Sequence, residues 1–171
     1  AARSSFHSLP ELRDAGLDAA YDVQDKLTAT RTSQNGGSIT GYKIGITTPR
    51  MQEMVGLAHP IAGVILSGSV TSAPAKLSRN QFVRLGVECE LAVRLGRRLD
   101  GRSWSVTRAT VAGSVSEIAA AFEIIEDRNA DYKNLDMPSL VADNSWNGGM
   151  VLGPSQEYSD VADLEGNGKV N

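Results

Sequence analysis

The sequence predicts an α+β domain, in which one long N-terminal helix precedes a series of short strands. Apolar residues recur at helical spacing over a segment of about residues 8–34. From about residue 38 onward, short apolar runs alternate with turn residues, and residues 84–95 alternate apolar and polar side chains with a period of two. We therefore expect one domain over residues 1–171, with the β-structure in about residues 38–171.

Composition and motifs exclude several classes of protein. With a net charge of -3 and no basic run, the chain lacks the signature of a nucleic-acid surface. No apolar run approaches the roughly 20 residues that a membrane helix needs, and the N-terminus does not have the order of a secretory signal. Dinucleotide, P-loop, serine-hydrolase and zinc motifs are absent. We expect a cytoplasmic protein with neither nucleic acid nor membrane as a partner.

Each element has a local signal. The first helix begins near Ser8 and Pro10, and its apolar face includes Leu12 and Ala20. The predicted elements that follow are a strand at 38–46, a helix from Thr48 and Pro49, strands at 62–66 and 84–95, a helix at about 107–116, a strand at 119–127, a helical turn at 136–142 and a strand at 150–152.

Two further features are local expectations. The single cysteine, Cys89, alternates with the polar residues of its strand, so we expect it on the buried face as a space-filling side chain. Gly166-Asn167-Gly168 is typical of a hairpin turn whose return strand has barely begun at Asn171. Because such a hairpin would leave an unpaired edge, we expect sequence to continue beyond Asn171.

Two glutamates stand side by side on the strand at 84–95. Glu88 and Glu90 are two positions apart, so both side chains project from one face at a spacing of roughly 7 Å. Their charges repel unless a cation lies between them or one carboxyl is protonated. An all-oxygen site of this kind suits a hard cation such as Mg2+ or Mn2+. A solvated face of an edge strand explains the pair as well.

A third glutamate and a lysine lie on other strands. Glu123 has apolar neighbours, and an unpaired buried carboxylate costs several kcal/mol, so it needs either an arginine, Arg84 or Arg128, or the same metal. Lys43 has glycines two positions away on each side, an open floor that a ligand could approach. A strand lysine with its amine in solvent is the alternative.

Five segments together resemble a known family, the 2-keto-4-pentenoate hydratases and 4-oxalocrotonate decarboxylases of the fumarylacetoacetate hydrolase superfamily. The segments are GYKIGIT at 41–47, ECELA at 88–92, FEIIEDR at 122–128, ADN at 142–144 and GMVLG at 149–153. The resemblance implies a mixed, strongly curved β-sheet roll with flanking helices, which lacks its C-terminal part here. It also implies a homo-oligomer.

The resemblance implies a metal centre and a substrate. Glu88, Glu90 and Glu123 would bind Mg2+ or Mn2+, and Lys43 would contact the substrate and take part in catalysis. The substrate would be a small unsaturated 2-keto acid, a 2-hydroxy-2,4-dienoate, which a hydratase converts to a 4-hydroxy-2-keto acid in aromatic catabolism. The alternatives are decarboxylation of 4-oxalocrotonate and a catalytically silent assembly partner in a complex of the two enzymes.

The chain departs from the hydratase pattern at two places. Where hydratases usually carry an acidic residue after the short buried strand, this chain has Ser67. Where they usually have a serine, it has Trp146, and the nearby hydroxyl is that of Ser145. We therefore expect Ser67, Asn144 and Trp146 to contact the substrate and Ser145 to take part in catalysis, with proton chemistry that differs from the hydratases.

Overall fold

A computed structural model describes residues 4–35, 37–100 and 105–158. The helices are α1 (Pro10–Asn35), α2 (Pro49–Val55), α3 (Arg108–Ala112) and α4 (Met137–Ala142). The strands are β1 (Ile39–Gly45), β2 (Ile61–Leu66), β3 (Val70–Ser72), β4 (Leu85–Leu95), β5 (Val115–Glu126), β6 (Asn147–Leu152) and β7 (Gln156–Glu157). The α+β class is thus confirmed.

The strands form two sheets. β1 and β2 pair antiparallel, and a second sheet has the order β3-β6-β5-β4, with β7 beside β5. Only β3 and β6 run parallel among the described pairs of this sheet, so it is mixed, as predicted. The strong curvature and the missing C-terminal part of the predicted roll stay predictions.

Helix α1 packs one face on α4 and β2. Leu12 and Ala20 are buried in the core, as their spacing predicts. The same face also buries Gln24, whose Nε2 donates hydrogen bonds to the carbonyls of Ala62 and Val141 at 3.1 and 2.8 Å. These two bonds join the helix to both of its neighbours, because a buried amide needs acceptors from the protein. Gly16, at φ 83°, kinks the helix.

The predicted cap of α2 is confirmed, whereas the bounds of α3 and β5 differ from those that the sequence predicts. Thr48 caps α2 by accepting a hydrogen bond from the backbone of Met51 at 3.3 Å. The predicted helix at 107–116 ends at Ala112, and Val115 is the first residue of β5. β5 is longer than predicted because it pairs with β4 along the whole length of that strand. The short strands β3 and β7 were not predicted.

The prediction for Cys89 is wrong. Its side chain is exposed, and so are most of the residues of β4. Val87 and Leu91, on the same face as Cys89, are 56% and 50% exposed. Alternation shows which side chains share a face, but burial of that face requires a partner layer, and none of the described elements provides one.

Two other expectations concern a hairpin near the C-terminal end and membrane-spanning helices. The hairpin predicted at Gly166–Gly168 lies outside the described residues. Among the described helices, none combines the length and the apolar character needed to cross a bilayer.

Candidate metal centre

The register of β4 and β5 brings three glutamates together. Glu88 lies directly opposite Glu123, and Glu90 follows two positions along β4. One carboxylate oxygen from each residue lies within 4.8 Å of the other two. Like charges at opposed positions of a sheet destabilise it, so this arrangement favours a bound cation. Three carboxylates are a suitable donor set for a hard divalent ion.

Glu123 is the buried member of the cluster, and its partner is Lys43. The Nζ atom of Lys43 lies 2.5 Å from Glu123 Oε1, and the two side chains are only 9% and 3% exposed. Asn147 Nδ2 donates a second hydrogen bond to the same oxygen at 2.9 Å. The lysine amine is therefore not in solvent. The Oε1 atom of Glu123 is fixed by two donors, the amine of Lys43 and the amide of Asn147.

Neither arginine suggested as a partner pairs with Glu123. Arg84 forms its ion pair with Asp127, and Arg128 forms one with Asp143 at 2.6 Å. The antiparallel pairing of β1 with β2 instead presents Lys43 to Glu123 from a separate sheet. The arginine explanation of the buried glutamate is thus wrong.

Gly63 leaves the space that the side chain of Lys43 occupies. This residue lies opposite Lys43 on β2, and a Cβ atom there would lie 2.9 Å from Lys43 Cγ. At the flanking glycines, Gly41 and Gly45, an added Cβ atom would meet side chains of β2 at ordinary contact distances, 3.8 and 3.5 Å. The close approach that lets the lysine reach Glu123 therefore depends on a glycine of the neighbouring strand.

A left-handed turn closes the other side of Lys43. Asn144, Ser145 and Trp146 have φ values of 59°, 49° and 56°, a conformation that costs roughly 1–2 kcal/mol per residue outside glycine. The turn directs the carbonyl of Ser145 to Lys43 Nζ, at 3.1 Å. Asn144 secures the turn, because its amide accepts from the backbone N–H of Val64 and donates to the same residue's carbonyl. Backbone strain of this kind often accompanies a functional site.

Two of the side chains predicted to contact the substrate, Trp146 and Ser67, contact other parts of the chain in the structure. Trp146 packs edge-on against Phe6 and Tyr132, with ring centroids 5.4 Å apart in each pair. Ser67 is exposed, and its hydroxyl accepts a hydrogen bond from the backbone of Ser38. Ser145 is buried, and its Oγ has no hydrogen-bond partner among the described residues. Of these side chains, Ser145 is thus the one whose hydroxyl is uncommitted.

Asn147 belongs to the site but was not predicted as part of it. Its amide contacts Glu123 because β6 pairs with β5 on the side opposite to β4. The hydrogen-bonding composition of residues 143–149 was the available signal, but the sequence does not show which of these side chains faces the glutamate.

The cluster perturbs Glu90. Partial burial, followed by the charges of Glu123 and Glu88, raises the pKa of Glu90 above its ordinary value of 4.5, and Lys43 acts in the opposite sense. Without a cation, ionising Glu90 therefore costs stability: its favourable contribution is present below pH 4.5 and is lost as the pH rises through the raised pKa.

We expect the stabilisation of the fold by Mg2+ to decrease as the pH is lowered. Cation binding requires the ionised carboxylate, so affinity rises as the pH increases through the raised pKa of Glu90. Thermal unfolding with and without Mg2+ between about pH 4 and 7 measures this. A Glu53→Gln variant, which removes an exposed glutamate elsewhere, should show the same dependence. A shift in melting temperature that stays constant over this range would contradict the cluster as the cation site.

The fold and the site together define an α+β domain with a carboxylate cluster suited to a divalent cation. The chain is similar to proteins of one group. It is 30% identical over 146 residues to a 4-oxalocrotonate decarboxylase of Pseudomonas sp, covering 85% of this chain and 55% of that protein. It is 31% identical over 140 residues to a 2-keto-4-pentenoate hydratase of Paraburkholderia xenovorans, covering 82% and 51%.

A solved structure supports the same fold. The 4-oxalocrotonate decarboxylase from Pseudomonas putida G7, complexed with magnesium and adipate, superimposes with a TM-score of 0.72 at 23% identity, over 81% of this chain and 51% of that one. No protein-family model matches the chain. The resemblance to the 2-keto-4-pentenoate hydratases and 4-oxalocrotonate decarboxylases is confirmed. The chain spans about half the length of the curated relatives it matches.

Proposed function

We propose that this chain carries the metal centre of a lyase that acts on a small unsaturated 2-keto acid. The preferred reaction adds water to a 2-hydroxy-2,4-dienoate and gives a 4-hydroxy-2-keto acid. The observation that carries the proposal is the convergence of Glu88, Glu90 and Glu123 within 4.8 Å, with a buried lysine on the third. The likeness to hydratases and a decarboxylase supports the substrate class.

The three glutamates would hold a divalent cation, Mg2+ or Mn2+. A cation bound there would act as a Lewis acid that stabilises negative charge on the 2-oxygen of the substrate. The donor set agrees with this ion, because hard cations prefer carboxylate oxygens. Asn147 and Lys43 keep Glu123 oriented by their contacts with its Oε1 atom.

Lys43 is the proposed proton donor and electrostatic partner of the substrate. An ammonium group has three donors, and the described contacts of Nζ, to Glu123 and to the carbonyl of Ser145, use two of them. The third can serve a substrate carboxylate or 2-oxygen. Burial of the amine strengthens this interaction, because water does not screen it.

The proposed hydration proceeds by ketonisation of the dienol and then consumes one water molecule. The enol proton is lost and the terminal carbon of the diene gains a proton, which gives a conjugated ketone. Water then adds its hydroxyl to carbon 4 and a proton to carbon 3. Ser145 is proposed to assist this proton transfer, because its buried hydroxyl is uncommitted among the described residues. Proposed contacts from Ser67, Asn144 and Trp146 require that the substrate extend along the turn at 144–146.

Decarboxylation of 4-oxalocrotonate is the second candidate. The specific observation in its favour is the 30% identity over 146 residues to a 4-oxalocrotonate decarboxylase. In this reaction the bond between carbon 5 and the carboxylate distal to the keto group breaks, and carbon dioxide leaves. The electron pair moves through the conjugated system to the 2-oxygen, which gains a proton to give the 2-hydroxy-2,4-dienoate. A catalytically silent assembly partner is the third candidate.

One experiment separates the three candidates. The protein is incubated with Mg2+ and the freshly generated dienol, and in parallel with 4-oxalocrotonate, and products are identified by mass. A gain of water by the dienol indicates the hydratase, and a loss of carbon dioxide from the diacid indicates the decarboxylase. If neither compound is consumed and calorimetry detects no Mg2+ binding, the lyase proposal is wrong and the silent partner is favoured.

We also propose a cytoplasmic homo-oligomer, with a complex between hydratase and decarboxylase as a further assembly. The exposed apolar residues of β4 support an interface, since large apolar faces on a sheet are usually covered. Size-exclusion chromatography with light scattering measures the subunit number. A strictly monomeric protein at micromolar concentration would contradict the oligomer.

A further inference from the structure

The outer edge of β4 has no partner among the described strands. β4 is the last strand in the order β3-β6-β5-β4, so β5 pairs with one of its edges and no described strand pairs with the other. Eight of its eleven residues are exposed. A long exposed edge presents a row of backbone N–H and C=O groups with which another strand can pair.

One face of this strand is apolar along its length. The residues on this face are all exposed: Val87, Cys89, Leu91, Val93 and Leu95. Phe122 of β5 lies opposite Cys89, is also exposed, and extends the apolar surface onto the next strand. Free edge strands are usually protected by charges, and this face carries none. An apolar surface of this kind marks an interaction site.

A second copy of the chain offers an edge with the same properties. In a dimer with a two-fold axis perpendicular to the sheet, the two β4 strands run antiparallel and each residue lies opposite one that shares its face. The other face of β4 carries Glu88, Glu90 and Arg94. The register of the two strands therefore decides which of these charges lie opposite each other.

The charges favour one register. A pair of strands centred on Cys89 would place Glu88 opposite Glu90 of the second copy, and a pair centred on Glu90 would place that residue opposite itself. Like charges directly opposite each other destabilise a sheet. A pair centred on Leu91 instead places Glu88 opposite Arg94 of the second copy, and the two-fold axis repeats this pair. Glu90 then has a neutral residue opposite it.

The same register matches the apolar faces. The apolar pairs across the interface are Cys89 with Val93, Val87 with Leu95, and Leu91 with itself. A register centred on Ala92 would also pair opposite charges, Glu90 with Arg94, but it pairs β4 residues only over 89–95. The register centred on Leu91 pairs β4 residues over 87–95, so it satisfies more of the free edge.

We propose that two copies of the chain associate through antiparallel pairing of their β4 strands, centred on Leu91. The inference rests on the homo-oligomer proposed above and gives it an interface. Arg94 donates to Glu117 at 2.9 Å, and its guanidinium has further N–H donors for Glu88 of the second copy. Since Glu88 belongs to the carboxylate cluster, the candidate metal centre lies beside this interface.

Disulfide trapping with the native cysteine tests the register. In the proposed pairing, Val93→Cys places a thiol directly opposite Cys89 of the second copy, with Cα atoms about 4.5–5.5 Å apart, which suits a disulfide. The two native cysteines lie four positions apart along the paired strands, roughly 14 Å. With copper phenanthroline as the oxidant, we expect Val93→Cys to become mainly a covalent dimer. The wild type and Leu95→Cys should remain largely uncrosslinked.

Leu91→Lys tests the dimer without cysteine chemistry. It places two ammonium groups next to each other at the two-fold axis, so the dissociation constant of the dimer should rise by more than about tenfold. Ile44→Lys makes the same change at an exposed position of β1 and should dimerise as the wild type does. Analytical ultracentrifugation at micromolar concentration in EDTA measures both, and circular dichroism checks that each variant is folded.

The outcomes separate this interface from the proposed lyase activity. EDTA and the absence of substrate make the measurements independent of the metal centre, so a negative result leaves the lyase proposal standing. A monomeric wild type would overturn the dimer. A dimer in which Leu95→Cys or the wild type forms the disulfide more readily than Val93→Cys would overturn the register. Folded Leu91→Lys that dimerises like the wild type would show that another surface forms the interface.

Discussion

Replacing Glu90 by glutamine is expected to lower turnover by more than about a hundredfold while the fold is retained. The substitution keeps the shape of the side chain but removes one of three carboxylates that converge within 4.8 Å. In the absence of a cation, the variant should be at least as stable as the wild type. The partial burial of the charge and its repulsion by Glu123 and Glu88, which together raise the pKa of Glu90, are both relieved by a neutral side chain. Rates at limiting Mg2+ and melting temperatures measure both effects.

The control for this prediction is Glu53→Gln. It makes the same change of charge at an exposed position of α2, so turnover and Mg2+ affinity should equal those of the wild type. If Glu90→Gln retains wild-type turnover at limiting Mg2+, the assignment of the three glutamates as ligands is incorrect.

Replacing Lys43 by methionine is expected to lower the free energy of unfolding by about 3 kcal/mol in EDTA. Methionine fills a similar volume but leaves Glu123, whose side chain is 3% exposed, with the amide of Asn147 as its hydrogen-bond donor. Mg2+ should restore part of the lost stability, because a bound cation would pair with the same carboxylate. Turnover should remain low and fall more than Mg2+ affinity does, because the proposed proton donor is absent.

Two variants make the Lys43 result specific. Lys76→Met removes an exposed lysine and should leave stability and turnover unchanged. Lys43→Met combined with Glu123→Gln should be more stable than Lys43→Met alone, because no charge is then left unpaired. Stability of Lys43→Met equal to the wild type in EDTA would show that the ion pair is unimportant, and an unchanged turnover number would remove the lysine from the mechanism.

Much of the fold follows from local patterns. The period-two alternation at 84–95 predicts β4 almost to its ends, and Thr48 with Pro49 predicts the start of α2. The short strand β3 was missed because three residues show no period. Val115 was placed in a helix because its spacing from Val111 is helical, whereas pairing with β4 makes it a strand residue.

The candidate site was predictable in its members but not in its contacts. Glu88 and Glu90 are neighbours by strand geometry alone. Their meeting with Glu123 depends on the register of β4 and β5, which brings together residues about 35 positions apart. The role of Gly63 under Lys43 likewise depends on the pairing of β1 with β2.

The sequence by itself determined the α+β class, the order of the elements other than the short strands β3 and β7, and the carboxylates and lysine on their strands, because periodicity, caps and turn residues act over a few positions. Only the tertiary structure decided that Lys43 rather than an arginine pairs with Glu123, and that the apolar face of β4 with Cys89 is exposed. The physical reason is that both outcomes depend on which surfaces meet. The contact between Lys43 and Ser145 spans 102 positions of the chain, and no local pattern records such a distance.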